Sequence, residues 1–221
     1  MSFNRLWRSC VAAGGERIIG YKVVCTSPKI RAQLGIDHCV TGRLYDSEQH
    51  PSGAALSRKG YANIAIEGEL AVELSREPTE RDFIGIEVPA CVARVFPVIE
   101  LHNHLTRGEQ PSAGELIAHN VIHAGFVAGC GVRPKDAPGA PSLAIFADDR
   151  LLDECEGPVL IHTIRSSLEW LMEIVRDRGD RLSASQIILT GSIPSLIPIG
   201  EDCRIRVDAA PFGQVEVTLI T

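Results

Sequence analysis

The chain has 221 residues, a formal net charge of −6, 45% hydrophobic and 23% charged side chains. That is the balance of a globular protein able to bury a sizeable core, not of a disordered chain or a coiled coil. A net negative charge with no dense Lys/Arg cluster speaks against nucleic-acid binding, and no apolar run is long enough to offer a membrane span.

The opening residues MSFNRLWRSC lack a signal peptide's apolar core. Cys10, Cys25, Cys39, Cys91, Cys130, Cys155 and Cys203 are odd in number, widely spaced and without a CxxC. Such thiols suit a reducing compartment and exclude zinc-knuckle and thioredoxin readings, so the cytoplasm is the expected location. The first dozen residues predict a short helix. Residues 18–25, IIGYKVVC, predict a strand. Ser27, Pro28 and Gly35 then frame a helix with a cap, an N1 proline and a C′ glycine. Residues 46–60 read as loop.

Residues 61–75 alternate strictly, with Ile64, Ile66, Leu70, Val72 and Leu74 on one face and Glu67, Glu69 and Glu73 on the other. Period two means strand. Residues 79–94 read as partly helical around Pro89, and 96–101 as a strand ending at Glu100. Ser112 and Glu115 have capping-box spacing ahead of a short helix to His119. Residues 121–128 look extended, 131–142 form a proline-rich loop, and 143–146 a short strand. The stripe Leu160, Ile161, Ile164, Leu168, Leu171, Met172, Val175 predicts a helix over 158–178. Strands follow at 187–189, 203–207 and 214–219. The class is α+β, mostly β, in a single domain over 1–221 whose first 17 residues are a short extension. The absence of an ordered βαβ repeat excludes a doubly wound sheet.

Glu67 and Glu69 share a strand face with Cα atoms ~6.6 Å apart. Like charges so close repel and raise at least one pKa unless a cation intervenes, and Mg²⁺ or Mn²⁺ accepts carboxylate oxygens. A solvated strand face is the simpler reading of this pair alone. Glu100, at the end of an apolar strand, offers a third carboxylate. Lys22 sits among apolar neighbours and either faces inward to pair with an anion or lies on an edge. His102-Asn103-His104 has the letters of a nuclease string without its metal-binding frame, and His119 and His123 read as ordinary polar residues near a pocket. Gly191-Ser192 after a strand resembles an anion-facing turn. GxSxG, GxGxxG and P-loop motifs are absent.

In chain order, Gly20-Tyr21-Lys22-Val23, Gln33-Leu34-Gly35-Ile36-Asp37, Gly42-Arg43-Leu44-Tyr45-Asp46, Ile66-Glu67-Gly68-Glu69-Leu70-Ala71, Pro97-Val98-Ile99-Glu100, the stretch 120–129, and Ile187 to Ser192 with Gly200-Glu201-Asp202 resemble the fumarylacetoacetate hydrolase superfamily, in its 2-keto-4-pentenoate hydratase and 4-oxalocrotonate decarboxylase branch. The resemblance covers about residues 18 to 219. It implies a mixed β-sheet roll with flanking helices, assembled as a homo-oligomer. It implies Mg²⁺ or Mn²⁺ on Glu67, Glu69 and Glu100, Lys22 beside the substrate, and Thr190, Gly191 and Ser192 framing the pocket. Glu67 would also act in catalysis. The sequence departs from the branch at Val40-Thr41, where an acidic residue is common, at Val121-Ile122, where Ala-Ser is common, and at His119, where an aspartate is common. Most of the N-terminal helical region expected before the lysine strand is missing. The implied activity is a metal-dependent lyase that chelates a small anionic 2-oxo or 2-hydroxy-dienoic acid and stabilises its enolate during water addition. The alternatives are decarboxylation of an oxalocrotonate, C–C hydrolysis of an acylpyruvate, which asks for a His–Glu pair, or a non-catalytic subunit that stabilises a partner.

Overall fold

A computed structural model describes residues 15–26, 31–32, 36–103 and 113–221. The helix expected in the first dozen residues and the cap expected at Ser112 lie outside the described residues; of the helix expected over 27–35 only Arg31 and Ala32 are described, and they are helical. The strands are β1 (Ile18–Val24), β2 (Val40–Tyr45), β3 (Gln49–Pro51), β4 (Ala54–Ser57), β5 (Ile64–Leu74), β6 (Val92–Asn103), β7 (His123–Ala128), β8 (Ser142–Ala147), β9 (Arg150–Glu156), β10 (Ile187–Leu189), β11 (Ile197–Pro198), β12 (Cys203–Ala209) and β13 (Gly213–Ile220). The helices are α1 (Ala113–Ala118) and α2 (Val159–Asp177).

One sheet runs β2-β1-β10-β5-β6-β7-β3, with β11 also pairing to β5. The second runs β4-β13-β12-β8-β9. Both mix parallel and antiparallel pairs, since β1 lies parallel to β10 and β13 parallel to β4. The even-numbered residues of β5 drive the stacking. Ile66, Leu70 and Val72 point into the main core with Ile145, Ile205 and Val207 of the second sheet and Leu160, Ile164 and Leu168 of α2. Gly68 occupies the closest approach of the sheets, where a Cβ would fall 2.8 Å from the Ile145 side chain and 3.0 Å from that of Val207. The helix α2 turns Leu160, Ile164, Leu168, Leu171 and Val175 inward at three- and four-residue spacing. None of the described helices is long and apolar enough to cross a membrane.

Four expectations change, the first being that the strand read over 96–101 and ending at Glu100 runs from Val92 to Asn103, with Glu100 held inside it by pairing to Glu67. Residues 46–60, read as loop, contribute β3 and β4, because each adds parallel to an existing edge where few residues suffice. Residues 79–94 give only a 3-10 turn at Glu80–Phe83 before β6 begins at Val92. The extended segment starts at His123 rather than Val121, because Asn120, Val121 and Ile122 all hold left-handed φ angles of 50°, 56° and 54°.

The odd-numbered face of β5 is the one that matters for chemistry. Glu67 lies opposite Glu100, Glu69 opposite Val98 and Ala71 opposite Phe96. Leu189 pairs with Ala71 and with Lys22, and Lys22 with Gly42. This face therefore carries a small apolar cluster, Leu44, Ala71, Phe96, Val98, Phe126 and Leu189, and a group of charged side chains beside it. In a flat sheet the backbones of β1 and β6 would stand about three strand spacings, ~14 Å, apart. The contact of Lys22 with Glu100 described below requires the sheet to curl, as twisted sheets of this width do.

Candidate metal centre

Lys22 is fully buried, and its Nζ donates to Glu100 Oε1 at 2.5 Å and to the Val121 carbonyl at 3.0 Å. That carbonyl is aimed inward by the left-handed turn at 120–122. Such φ angles are tolerable for Asn120 but cost β-branched Val121 and Ile122 roughly 1–2 kcal/mol each. The Asn120 side chain anchors the turn by bonding both the Arg43 amide and carbonyl at 2.8 Å. Gly42 leaves room for it, since a Cβ there would lie 2.9 Å from Asn120 Oδ1 and 3.0 Å from Lys22 Cε.

Glu100 is the hub. His123 Nδ1 lies 2.7 Å from its Oε1, and His102 Nε2 lies 3.7 Å from Oε2 and 3.2 Å from Glu67 Oε2. Oxygens of Glu67 and Glu100 and a nitrogen of His102 all come within 4.8 Å of one another. Glu69 shares the face; its Oε2 accepts from the Gly191 amide, while its Oε1 is buried without a partner. On the outer side Glu48 Oε2 stands 3.5 Å from His123 Nε2.

The electrostatics are divided. Burial alone would raise the Glu100 carboxyl, but the charge of Lys22, with His102 and His123, outweighs it and holds the group well below the usual carboxylate range. Burial, then the charges of Glu100 and Glu67, lift Glu69 well above that range against the pull of the Gly191 amide. Burial lowers His123 despite the opposing Glu100 contact, and burial raises Glu48 to about 7.

Of the residues singled out by sequence, Lys22, Glu67, Glu69 and Glu100 stand on one face of the curled sheet. Thr190, Gly191 and Ser192 sit at the end of β10 beside Glu69. Thr190 Oγ1 donates to the Leu70 carbonyl at 2.7 Å and Ser192 Oγ to those of Gly68 and Pro194. The anion that the turn faces is thus the protein's own Glu69. His102, discounted as part of a nuclease string, lies beside the carboxylates. Its signal was periodicity: two residues after Glu100 on a strand it had to share that face. His123 had no such signal, because a bulge between Leu101 and His102 sets its register. Val40 points into a small apolar cluster with Leu116 and Val121.

The donor set suits a divalent cation. Two carboxylates and an imidazole converge, a third carboxylate keeps a buried orphan oxygen, and His102 Nδ1 is likewise buried without a partner. A hard cation among Glu67, Glu69 and Glu100, with His102 Nε2 at hand, would satisfy the carboxylate oxygens.

No protein-family model matches the chain. It is 24% identical over 188 residues to a 2-keto-4-pentenoate hydratase of Burkholderia vietnamiensis, covering 84% of this chain and 71% of that one. It is 22% identical over 201 residues to a 4-oxalocrotonate decarboxylase of a Pseudomonas species, covering 91% and 78%. The structure superposes on the 4-oxalocrotonate decarboxylase of Pseudomonas putida G7, complexed with magnesium and adipate, at a TM-score of 0.85 and 21% identity, over 97% of this chain and 82% of that one. It superposes on the fumarylpyruvate hydrolase of Pseudomonas aeruginosa, in complex with Mn²⁺ and pyruvate, at a TM-score of 0.68 and 12% identity, over 90% and 88%. The chain therefore has the fumarylacetoacetate hydrolase-like fold and is a sequence relative of the hydratases and decarboxylases that share it.

Proposed function

We propose that this chain is a divalent-metal-dependent lyase that adds water to a small 2-hydroxy-dienoic acid of the 2-hydroxypenta-2,4-dienoate type. The observation that carries this reading is the meeting of Glu67, Glu69 and Glu100 with Lys22 on one curled sheet face. Glu67, Glu69 and Glu100 would hold Mg²⁺ or Mn²⁺, which supplies positive charge to the acid's carboxylate and 2-oxygen and stabilises enolate charge as it develops.

The chain's own residues do the rest. An ammonium has three N–H donors, and Lys22 commits two inward, to Glu100 and Val121, leaving one for a substrate oxygen. His102 Nε2 faces Glu67 and can hold or pass a proton there. Thr190, Gly191 and Ser192 keep Glu69 in place and frame that side of the pocket. The reading includes a homo-oligomeric assembly in the cytoplasm.

Hydrolytic C–C cleavage of an acylpyruvate is the second reading, and the His102–Glu67 pair favours it, since attack by water needs a base. A stabilising subunit without activity would have no need for the converging carboxylates.

Turnover of 2-hydroxypenta-2,4-dienoate, 4-oxalocrotonate and an acylpyruvate, each with and without Mn²⁺, divides the possibilities. The proposal expects metal-dependent loss of the dienoate absorbance, abolished by about 100-fold or more in Glu100→Gln. Turnover of another substrate alone, or none with a tightly co-purifying partner, overturns it.

A further inference from the structure

Away from the carboxylates, the chain presents an apolar projection beside an apolar groove. Ile84 and Ile86 are 81% and 83% exposed, the two most exposed large apolar side chains among the described residues. They do not hang on a loose tether. Phe83, just before them, is buried in the main core, and Asp82 is held by the Arg76 guanidinium and by the Thr79 amide and hydroxyl. Gly85 between them takes a φ of 100°, which glycine holds without strain. Arg165 of α2 clamps both ends of the loop, donating from Nη2 to the Phe83 carbonyl at 2.8 Å and from Nη1 to the Glu87 carbonyl at 3.2 Å. Two isoleucines fixed in water forgo burial, and an ordered projection loses little further freedom when it binds.

A groove of about 960 Å³ opens beside this loop, with Pro89, Val92, Ala137, Pro141, Ile161 and Phe212 on its apolar walls. Ile86 stands on its lip and stays exposed, so it does not fill the groove of its own chain. The charged groups at the rim are unevenly satisfied. Arg133 pairs with Asp136, and Arg165 is spent on the two carbonyls. The Glu87 carboxylate on the loop and the Lys135 ammonium on the groove have no hydrogen bond or ion pair with another described residue.

We propose that this face joins two copies of the chain about a two-fold axis, with Ile84 and Ile86 of each copy seated in the groove of the other. An isologous contact requires a patch that complements itself. A projection and a recess side by side meet that requirement in shape. An unpaired anion on one and an unpaired cation on the other meet it in charge, since Glu87 of each copy then faces Lys135 of the other. The contact leaves the metal centre clear, because β6 starts in the groove at Val92 and reaches Glu100 eight residues later, ~26 Å along the strand. The inference gives a surface to the self-assembly included in the proposed function, and it rests on that part of the reading alone.

Sedimentation equilibrium of the full chain from about 1 to about 100 µM tests it. The wild-type protein should associate into an even number of copies. Ile86→Asp should weaken that association at least about 30-fold. Glu87→Lys and Lys135→Glu should each weaken it, and the double variant should recover it, because the pair is restored with its signs exchanged. All three side chains are exposed, so far-ultraviolet circular dichroism should not change. A wild-type chain that stays monomeric throughout, as it would if the groove served a small apolar ligand or a different protein, overturns the inference and the self-assembly together. An odd-numbered assembly, one that Ile86→Asp leaves intact, or a double variant no tighter than the single ones overturns the inference and leaves self-assembly standing.

Discussion

Replacing Lys22 by Met tests the core of the site. Methionine nearly conserves volume, so packing changes little, but the ammonium beside Glu100 disappears. The pair is desolvated on both sides, with side-chain exposures of 0% and 1%. Breaking such a pair by removing one partner costs about 3–5 kcal/mol, because a buried charge is left uncompensated. His123 still serves Glu100 Oε1, which places the expected loss near the lower end, and the Val121 carbonyl loses its donor as well. The loss should depend on pH in a defined direction. In the wild-type protein the Glu100 carboxyl is held below its unfolded value, so its contribution is present above the unfolded pKa and is lost as pH falls through the folded one. Without Lys22 that depression vanishes. Glu100 then takes up a proton at higher pH, and the deficit of the variant shrinks on acidification. Urea unfolding of metal-free protein between pH 8 and pH 4 measures this. A loss below about 1 kcal/mol at pH 8, or a loss that grows toward pH 4, refutes the buried-pair account.

Gly42→Ala brings a methyl group to 2.9 Å from Asn120 Oδ1 and should cost about 1–3 kcal/mol in urea, with weaker turnover because the Lys22 carbonyl partner shifts. His102→Gln separates the two reactions: it should abolish acylpyruvate hydrolysis, measured by loss of the substrate absorbance, and leave dienoate hydration within about tenfold. Far from the site, Arg76 holds the Asp82 carboxyl at about 2, with help from the Thr79 amide and hydroxyl. The unfolded value is 3.8, so this stability is full above it and lost as pH falls from 3.8 toward 2. Asp82→Asn should therefore cost about 1–2 kcal/mol at pH 7 and almost nothing at pH 2 in thermal unfolding.

Much of this arrangement was legible in the sequence because period two is a strong constraint. Once residues 61–75 are a strand, Glu67 and Glu69 must share a face, and the apolar partners must take the other. That Glu100 belongs to a strand was equally readable, although β6 runs on past it to Asn103. The meeting of Glu100 with Glu67 was not, because register depends on the whole sheet. The partnership of Lys22 and Glu100 depends further on curvature across β1, β10, β5 and β6, which no local pattern encodes. The turn at 120–122 was hidden for a different reason. Val121 and Ile122 have β propensity, and the anchoring of Asn120 on Arg43 and the carbonyl's bond to Lys22 override it. Strands β3 and β4 are too short for periodicity to speak.

The charge balance explains why Glu69 behaves differently from its neighbours. Among the described residues Glu67, Glu69 and Glu100 face one ammonium, so full ionisation would leave two of their negative charges without an ammonium in a site largely closed to water. Glu100 keeps its charge because Lys22 sits on it, and the burden falls on Glu69, whose carboxyl burial and repulsion lift well above the ordinary range. A divalent cation removes the imbalance at one stroke, and Glu69 then has no reason to hold a proton. Metal binding should therefore release protons, up to one per ion at pH 6, read as a dependence of the binding enthalpy of Mn²⁺ on the ionisation enthalpy of the buffer. Glu69→Gln should abolish the release, weaken Mn²⁺ at least about tenfold, and leave metal-free protein as stable as the wild type or more so, because a buried repulsion has gone. If the variant released the same protons, Glu69 would not be the titrating group. If it bound Mn²⁺ unchanged, the ion would rest on Glu67, Glu100 and His102 alone.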